Sequence, residues 1–226
     1  MISSIGFIKV RGSRERVPVG KIVCLGRNYA DHAKEMKTEV PAKPVLFLKP
    51  PTAIIHDGQV VIPPRLSADL HHEVEMVLLL GRRGKNLEGE SALKCIAGFG
   101  VGLDMTLRDI QAEAKAKGLP WTIAKGFDTS APVSDFVPSK DVPDPHNMNI
   151  ALRVNGQTRQ QSNTGNMLFT LTEIISYVSS IFTLEPGDLI FTGTPEGVGR
   201  VVPGDRLEAV LQSVATLRVT IAAGNH

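Results

Sequence analysis

Apolar residues along this chain fall mostly in short runs cut by Gly and Pro, and few of the runs repeat at helical spacing. Strand-like runs occupy residues 22–25, 45–49, 60–62, 74–80, 96–103, 121–124, 149–154, 188–191, 207–211 and 214–221. Asn155-Gly156 predicts a two-residue hairpin after residue 154, because both residues tolerate the positive φ of a type I′ turn. Helical signals are fewer. Thr170-x-x-Glu173 has the form of a capping box and opens a helix from Leu171 to about Phe182. Thr106-x-x-Asp109 has the same form and predicts a helix through about Lys117, with Gly118 past its end. Residues 28–36 fit a third, shorter helix. Strands outnumber helices and do not alternate with them. The pattern therefore predicts a strand-rich α+β fold, a roll or distorted barrel of mixed sheet, rather than a doubly wound or TIM architecture. Pro50-Pro51, Pro63-Pro64 and Pro143-Asp144-Pro145 read as loops inside one domain.

One of these runs carries an unusual pair. Residues i and i+2 of a strand share a face, so Glu73 and Glu75 stand side by side, with Val74, Met76 and Leu78 opposite. Val77 and Leu79 continue the glutamate face and make it apolar and covered. Two anions on a covered surface repel each other and lose hydration unless a cation joins them. A hard divalent ion with oxygen ligands, Mg2+, Mn2+ or Ca2+, meets that need; a solvated strand face is the plainer reading of the pair alone. Asp104 supplies a third carboxylate at the end of the 96–103 run, where a scaffold fixes a side chain and leaves it accessible.

Composition narrows the classes. The chain has 226 residues, 42% hydrophobic and 21% charged, as expected of a globular protein with a real core. A net charge of +2 and 5% aromatics do not favour a nucleic-acid partner. Cys24 and Cys95 form no Cys-x-x-Cys pair, so they read as buried thiols of a reducing compartment. No run approaches the roughly 20 apolar residues of a membrane helix, and residues 1–20 do not resemble a signal peptide. The expected location is the cytoplasm, without a membrane partner.

Other residues offer chemistry with a plainer alternative beside each. Arg108 lies in a first helical turn, where the macrodipole disfavours a cation; it is either an exposed arginine or, with the helix N-terminus, a receiver for a carboxylate. His32 and Glu35 share a helix face, as a surface ion pair or as a general base oriented by a carboxylate. Lys125 ends the 121–124 run and is an ordinary strand-end lysine or a counter-charge for an oxyanion. Residues 193–199, Gly-Thr-Pro-Glu-Gly-Val-Gly, lack the ending of a P-loop but can offer N–H groups and a hydroxyl to a small ligand.

Taken together, Gly26-Arg27-Asn28-Tyr29 with His32 and Glu35, Phe47-Leu48-Lys49-Pro50, His72-Glu73-Val74-Glu75, Leu103-Asp104-Met105-Thr106-x-Arg108-Asp109, and Asp188-x-Ile190-x-Thr192-Gly193-Thr194-Pro195-x-Gly197-Val198-Gly199 resemble the fumarylacetoacetate hydrolase family. Gly118-Leu119-Pro120-Trp121 and Pro143-Asp144-Pro145-His146 are similar to its short acylpyruvase branch, which includes oxaloacetate decarboxylases. The resemblance implies the mixed β-roll of the family's C-terminal domain, with residues 1–20 as a short leading segment and 21–226 as one catalytic domain. It implies Mg2+ or Mn2+ (Ca2+ in crystals) on Glu73, Glu75 and Asp104. His32 and Glu35 would form a catalytic dyad, with Lys125 also at the chemistry, and Arg108, Gln111, Lys125 and Thr194 would hold a small 2-oxo acid. The implied protein is a homodimer. The implied activity is C–C hydrolysis of acylpyruvates through a pyruvate enolate, with oxaloacetate decarboxylation alongside. Oxaloacetate tautomerisation, an isomerase/decarboxylase of aromatic catabolism, and hydrolysis of fumarylpyruvate or maleylpyruvate stand as alternatives.

Overall fold

The structure, a computed structural model, describes residues 6–35 and 41–222, without the side chains of residues 32–34. Its centre is an eight-stranded mixed sheet. The order is Val45–Lys49, Ile22–Gly26, Leu189–Phe191, Val74–Leu80, Ile96–Leu103, Ala131–Val133 and Ile54–His56, with Val137–Pro138 also paired to Ile96–Leu103. Val74–Leu80 is buried at every position, as a strand covered on both faces must be. Val74, Met76, Leu78 and Leu80 face one apolar cluster, while Val77 and Leu79 face another.

The first cluster is closed by a five-stranded sheet ordered Gln157–Asn163, Asn149–Val154, Arg206–Leu211, Ala215–Ile221 and Val60–Val61. Its strands alternate: Ile150, Leu152 and Val154 point inward with Leu207, Ala209 and Leu211. The second cluster is closed in part by the hairpin of Phe7–Lys9 and Arg16–Pro18, through Ile8, and by Val19 just after it. The described helices are α1 (Ala30–Glu35), α2 (Gly89–Leu93), α3 (Arg108–Lys117), α4 (Thr122–Lys125) and α5 (Leu171–Ile181). This is the strand-rich α+β fold that the apolar pattern predicts.

The Asn-Gly hairpin forms as expected, with φ of 52° at Asn155 and 80° at Gly156, and Val154 opposite Gln157. Thr170 caps α5: its hydroxyl accepts the Glu173 N–H, and the Glu173 carboxylate accepts the Thr170 N–H. Two expectations fail. Thr106 caps no helix; Thr106–Leu107 is a short strand paired with Leu70–His72, and α3 begins at Arg108 without a side-chain cap. Gly118 does end α3, at φ 65°. Residues 121–124 are not a strand. Trp121 leads into α4, whose turn closes through Lys125 N–H to the Trp121 carbonyl and Gly126 N–H to the Thr122 carbonyl. Pro120 supplies no N–H for a ladder, and a four-residue apolar run does not by itself distinguish strand from helix. The 28–36 helix runs over Ala30–Glu35, and Met36 lies outside the described residues.

Candidate active site

Glu75 is the second residue of the central strand, Glu73 sits just before that strand, and Asp104 follows the adjacent antiparallel strand. Register places Val74 opposite Leu103 and Glu75 opposite Gly102, and the Asp104 N–H donates to the Glu73 carbonyl (2.8 Å). The three carboxylates thereby meet. Each offers an oxygen within 4.8 Å of the others, and all three residues are buried. Gly102 is required here, because a Cβ on it would lie 2.8 Å from both the Phe191 ring and Val77.

Cations surround two of the three acids. Arg108 donates to Glu73 Oε1 (2.5 Å) and to Gln111 Oε1 (2.6 Å). The Lys125 ammonium reaches Glu73 Oε2 (2.8 Å), Asp104 Oδ2 (2.5 Å) and Thr106 Oγ1 (2.7 Å). Lys49 Nζ lies 2.8 Å from Asp104 Oδ1 and donates to the Lys125 carbonyl. Glu75 makes no ion pair among the described residues. Its Oε2 accepts the Gly193 N–H (2.7 Å), while Oε1 is buried without a partner.

These contacts set the charges. Burial, then Asp104 and Glu73 alongside, pushes the Glu75 carboxyl well above the usual carboxylate range. Burial pulls the Lys125 ammonium down, but Asp104 and Glu73 outweigh it and hold it above the ordinary lysine range. Lys125 is therefore held as a cation and donates to both acids.

The trio fits a hard divalent ion on the structure's own terms. Among the described residues, Glu75 Oε1 is buried without a hydrogen-bond or ion-pair partner, and Asp104 Oδ1 is engaged only by the Lys49 ammonium. The unpartnered Glu75 oxygen belongs to the trio, and an all-carboxylate donor set suits Mg2+ or Mn2+.

Beside the trio opens a tight cavity of about 30 Å³. Arg27, Arg108, Lys115 and Lys125 line it against the single acid Glu73, with Gln111 and Thr194 as neutral polar groups. Such a wall favours a small anion. Burial, then Arg108 and Arg27, lowers the Lys115 ammonium from its ordinary value.

The structure brings together Glu73, Glu75, Asp104, Arg108, Gln111, Lys125 and Thr194. Glu35 stands apart from the trio on α1, where its carboxylate accepts the Gly197 N–H at 3.1 Å from either oxygen. The His32 side chain lies outside the described residues. Arg108 differs in one respect from its expected role: its guanidinium grips Glu73 and Gln111 as well as facing the cavity.

Residue-by-residue reading gives no role to Lys49, Lys115 or Gln160. A signal exists for Lys115, since 108, 111 and 115 repeat at i, i+3 and i+7 on α3. For Lys49 the signal is its place on the same strand face as Phe47. Gln160 sits in an all-polar strand that offers none.

Comparison with known proteins places this geometry. The family profile Fumarylacetoacetate (FAA) hydrolase C-terminal matches residues 21–222. The mitochondrial oxaloacetate tautomerase FAHD1 of Rattus norvegicus is 53% identical over 205 residues, 91% of this chain and 93% of that protein. The protein of the same name from Arabidopsis thaliana is 46% identical, over 89% of this chain and 90% of its own. The crystal structure of fumarylpyruvate hydrolase from Pseudomonas aeruginosa, in complex with Mn2+ and pyruvate, superposes with a TM-score of 0.94 at 36% identity, covering 98% of this chain and 97% of that one. With the carboxylate trio and the sheet that carries it, these likenesses show that the chain belongs to the fumarylacetoacetate hydrolase C-terminal family.

Proposed function

We propose that this protein is a divalent-metal-dependent enzyme that interconverts the keto and enol forms of a small 2-oxo dicarboxylic acid, with oxaloacetate as the substrate. The observation that carries the reading is the buried trio, with its unpartnered Glu75 oxygen, beside a cavity walled by four cations. The family resemblance of the sequence motifs puts acylpyruvate hydrolysis first. The 53% identity to an oxaloacetate tautomerase over nearly the whole chain moves tautomerisation ahead.

Held by Glu73, Glu75 and Asp104, Mg2+ or Mn2+ supplies Lewis-acid polarisation of a keto oxygen. The remaining work falls to the chain. Arg108 and Lys125 neutralise the carboxylate of the 2-oxo acid, and Gln111 and Thr194 fix its plane by hydrogen bonds. Lys125, kept cationic by Asp104 and Glu73, stabilises negative charge growing on the 2-oxygen. His32, oriented by Glu35, moves the proton at C3. The Gly197 N–H on Glu35 ties α1 to the 193–199 loop, so Glu35 and Thr194 keep a fixed relation.

Acylpyruvate cleavage is the second reading, favoured by the close superposition on a fumarylpyruvate hydrolase. There His32 deprotonates a water that attacks the distal carbonyl, and the C3–C4 bond breaks to give a carboxylic acid and the pyruvate enolate. The test follows the ultraviolet absorbance of enol-oxaloacetate with Mg2+, with Mn2+ and with chelator, alongside pyruvate release from acetylpyruvate. Metal-dependent loss of the enol without pyruvate supports the tautomerase. Pyruvate from acetylpyruvate with no acceleration of ketonisation replaces it with the hydrolase. Neither activity overturns both.

A further inference from the structure

Gln160 is the only buried residue of the strand Gln157–Asn163, at 1% exposure, and its amide is saturated. The Val74 N–H, which can only donate, lies 3.0 Å from one amide atom and identifies it as the oxygen. The Pro195 carbonyl, which can only accept, lies 2.9 Å from the other and identifies it as the NH2 group. His72 Nδ1 lies 3.0 Å from the same oxygen, so its Nδ1 carries the proton and donates. The second amide hydrogen goes to Thr194 Oγ1 at 2.8 Å. Two bonds accepted and two donated leave the amide no freedom to turn over.

The consequence falls on Thr194. Its oxygen already accepts a hydrogen bond, so its own O–H must point elsewhere. Among the described residues no acceptor takes that proton, and Thr194 lines the cavity beside the trio. The backbone keeps this geometry tight. Gly197, at φ +88°, lies so close on the strand that a Cβ would sit 2.2 Å from the Arg159 carbonyl. Gly199 pairs with His72 on the other side.

We infer that Gln160 is a positioning residue: by donating to Thr194 Oγ1, it reserves the Thr194 hydroxyl proton for an oxygen of the bound 2-oxo acid. The inference rests on the proposed reading of the cavity as a 2-oxo acid site. It assigns substrate orientation to a residue on the five-stranded sheet, outside the sheet that carries the trio.

A double-mutant cycle tests it. Mn2+-loaded protein is titrated calorimetrically with pyruvate in the wild type, Thr194→Val, Gln160→Glu and the double variant. Gln160→Glu keeps an oxygen for Val74 and His72 but presents a second oxygen to Thr194, which turns the hydroxyl proton inward. Each single substitution is expected to weaken pyruvate about 10-fold, the scale of one hydrogen bond, and the double variant no more than about 10-fold. Thr194→Ser should bind within roughly 3-fold of wild type. If Gln160→Glu does not fold, Gln160→Met takes its place, and its effect should vanish in the Thr194→Val background. Wild-type binding in the Gln160 variant, or penalties that multiply to about 100-fold in the double, overturns the role of Gln160 and leaves the site standing. Failure of pyruvate to bind the wild type, or an unweakened Thr194→Val, overturns the reading of the cavity and Gln160 with it.

Discussion

Glu75 is the residue on which the site's electrostatics turn. It alone of the trio makes no ion pair among the described residues, and burial with two acid neighbours raises its pKa. A carboxyl raised in the folded state contributes stability that is present below its unfolded value and lost as pH rises toward the folded one. In chelator, the melting temperature of wild type should therefore fall relative to Glu75→Gln as pH climbs above 4.5. Adding Mn2+ at roughly 100 times its dissociation constant should raise the wild-type midpoint by about 5–10 °C and leave Glu75→Gln unmoved. Equal metal shifts in both proteins would remove Glu75 from the site. The pair Glu73 and Glu75 was legible because strand period two and the apolar run after it leave two acids on a covered face. Lys49 and Gln160 were not, because a buried lysine and a buried amide owe their burial to partners from distant elements, Asp104 and Thr194.

At the scale of elements, caps and tight turns do the positioning. The Thr170 box secures α5, whose Leu171, Ile174, Ile175 and Val178 enter the larger core. Thr170→Ala should cost about 1 kcal/mol, read as a fall of roughly 2–4 °C in melting temperature, with turnover unchanged. The Thr170 backbone N–H holds the Glu173 carboxyl below its ordinary value, so the stability from that bond is present above pH 4.5 and fades as pH falls through the folded value. An unchanged midpoint at pH 7 would show that the box contributes nothing.

Gly193 is the sharper case. Its φ of +94° and a would-be Cβ 2.6 Å from Asn28 Cβ allow its N–H to reach Glu75. Gly193→Ala should weaken Mn2+ at least 10-fold by isothermal titration. Wild-type affinity would show that this N–H does not shape Glu75. The same capping signal that found α5 misled at Thr106, whose hydroxyl is taken by the Asp104 carbonyl and the Lys125 ammonium. A local pattern cannot see that competition. The run 121–124 failed for a related reason: its identity depends on Lys125 being drawn under the trio, a contact that brings it beside Glu73, 52 residues away.

Across the whole molecule, the fold places chemistry where two strands of opposite direction end and begin together, with α3 and α4 folded over them. Among the described residues no helix is long and apolar enough to cross a membrane. The strand Val45–Lys49 pairs on one side only, and Leu48, Leu119 and Ile123 stand exposed around it. A homodimer is proposed on that basis, and light scattering should return twice the chain mass; a monomer at micromolar concentration would contradict it.

On the proposed reading, Glu73, Glu75 and Asp104 hold a divalent ion that receives a 2-oxo acid within reach of Arg108, Lys125 and Thr194. Anomalous diffraction at the manganese edge, from crystals grown with Mn2+ and pyruvate, tests it directly. One strong peak is expected among the three carboxylates, with pyruvate density between it and those three side chains. An anomalous map empty at the trio, or pyruvate seated elsewhere, would contradict it.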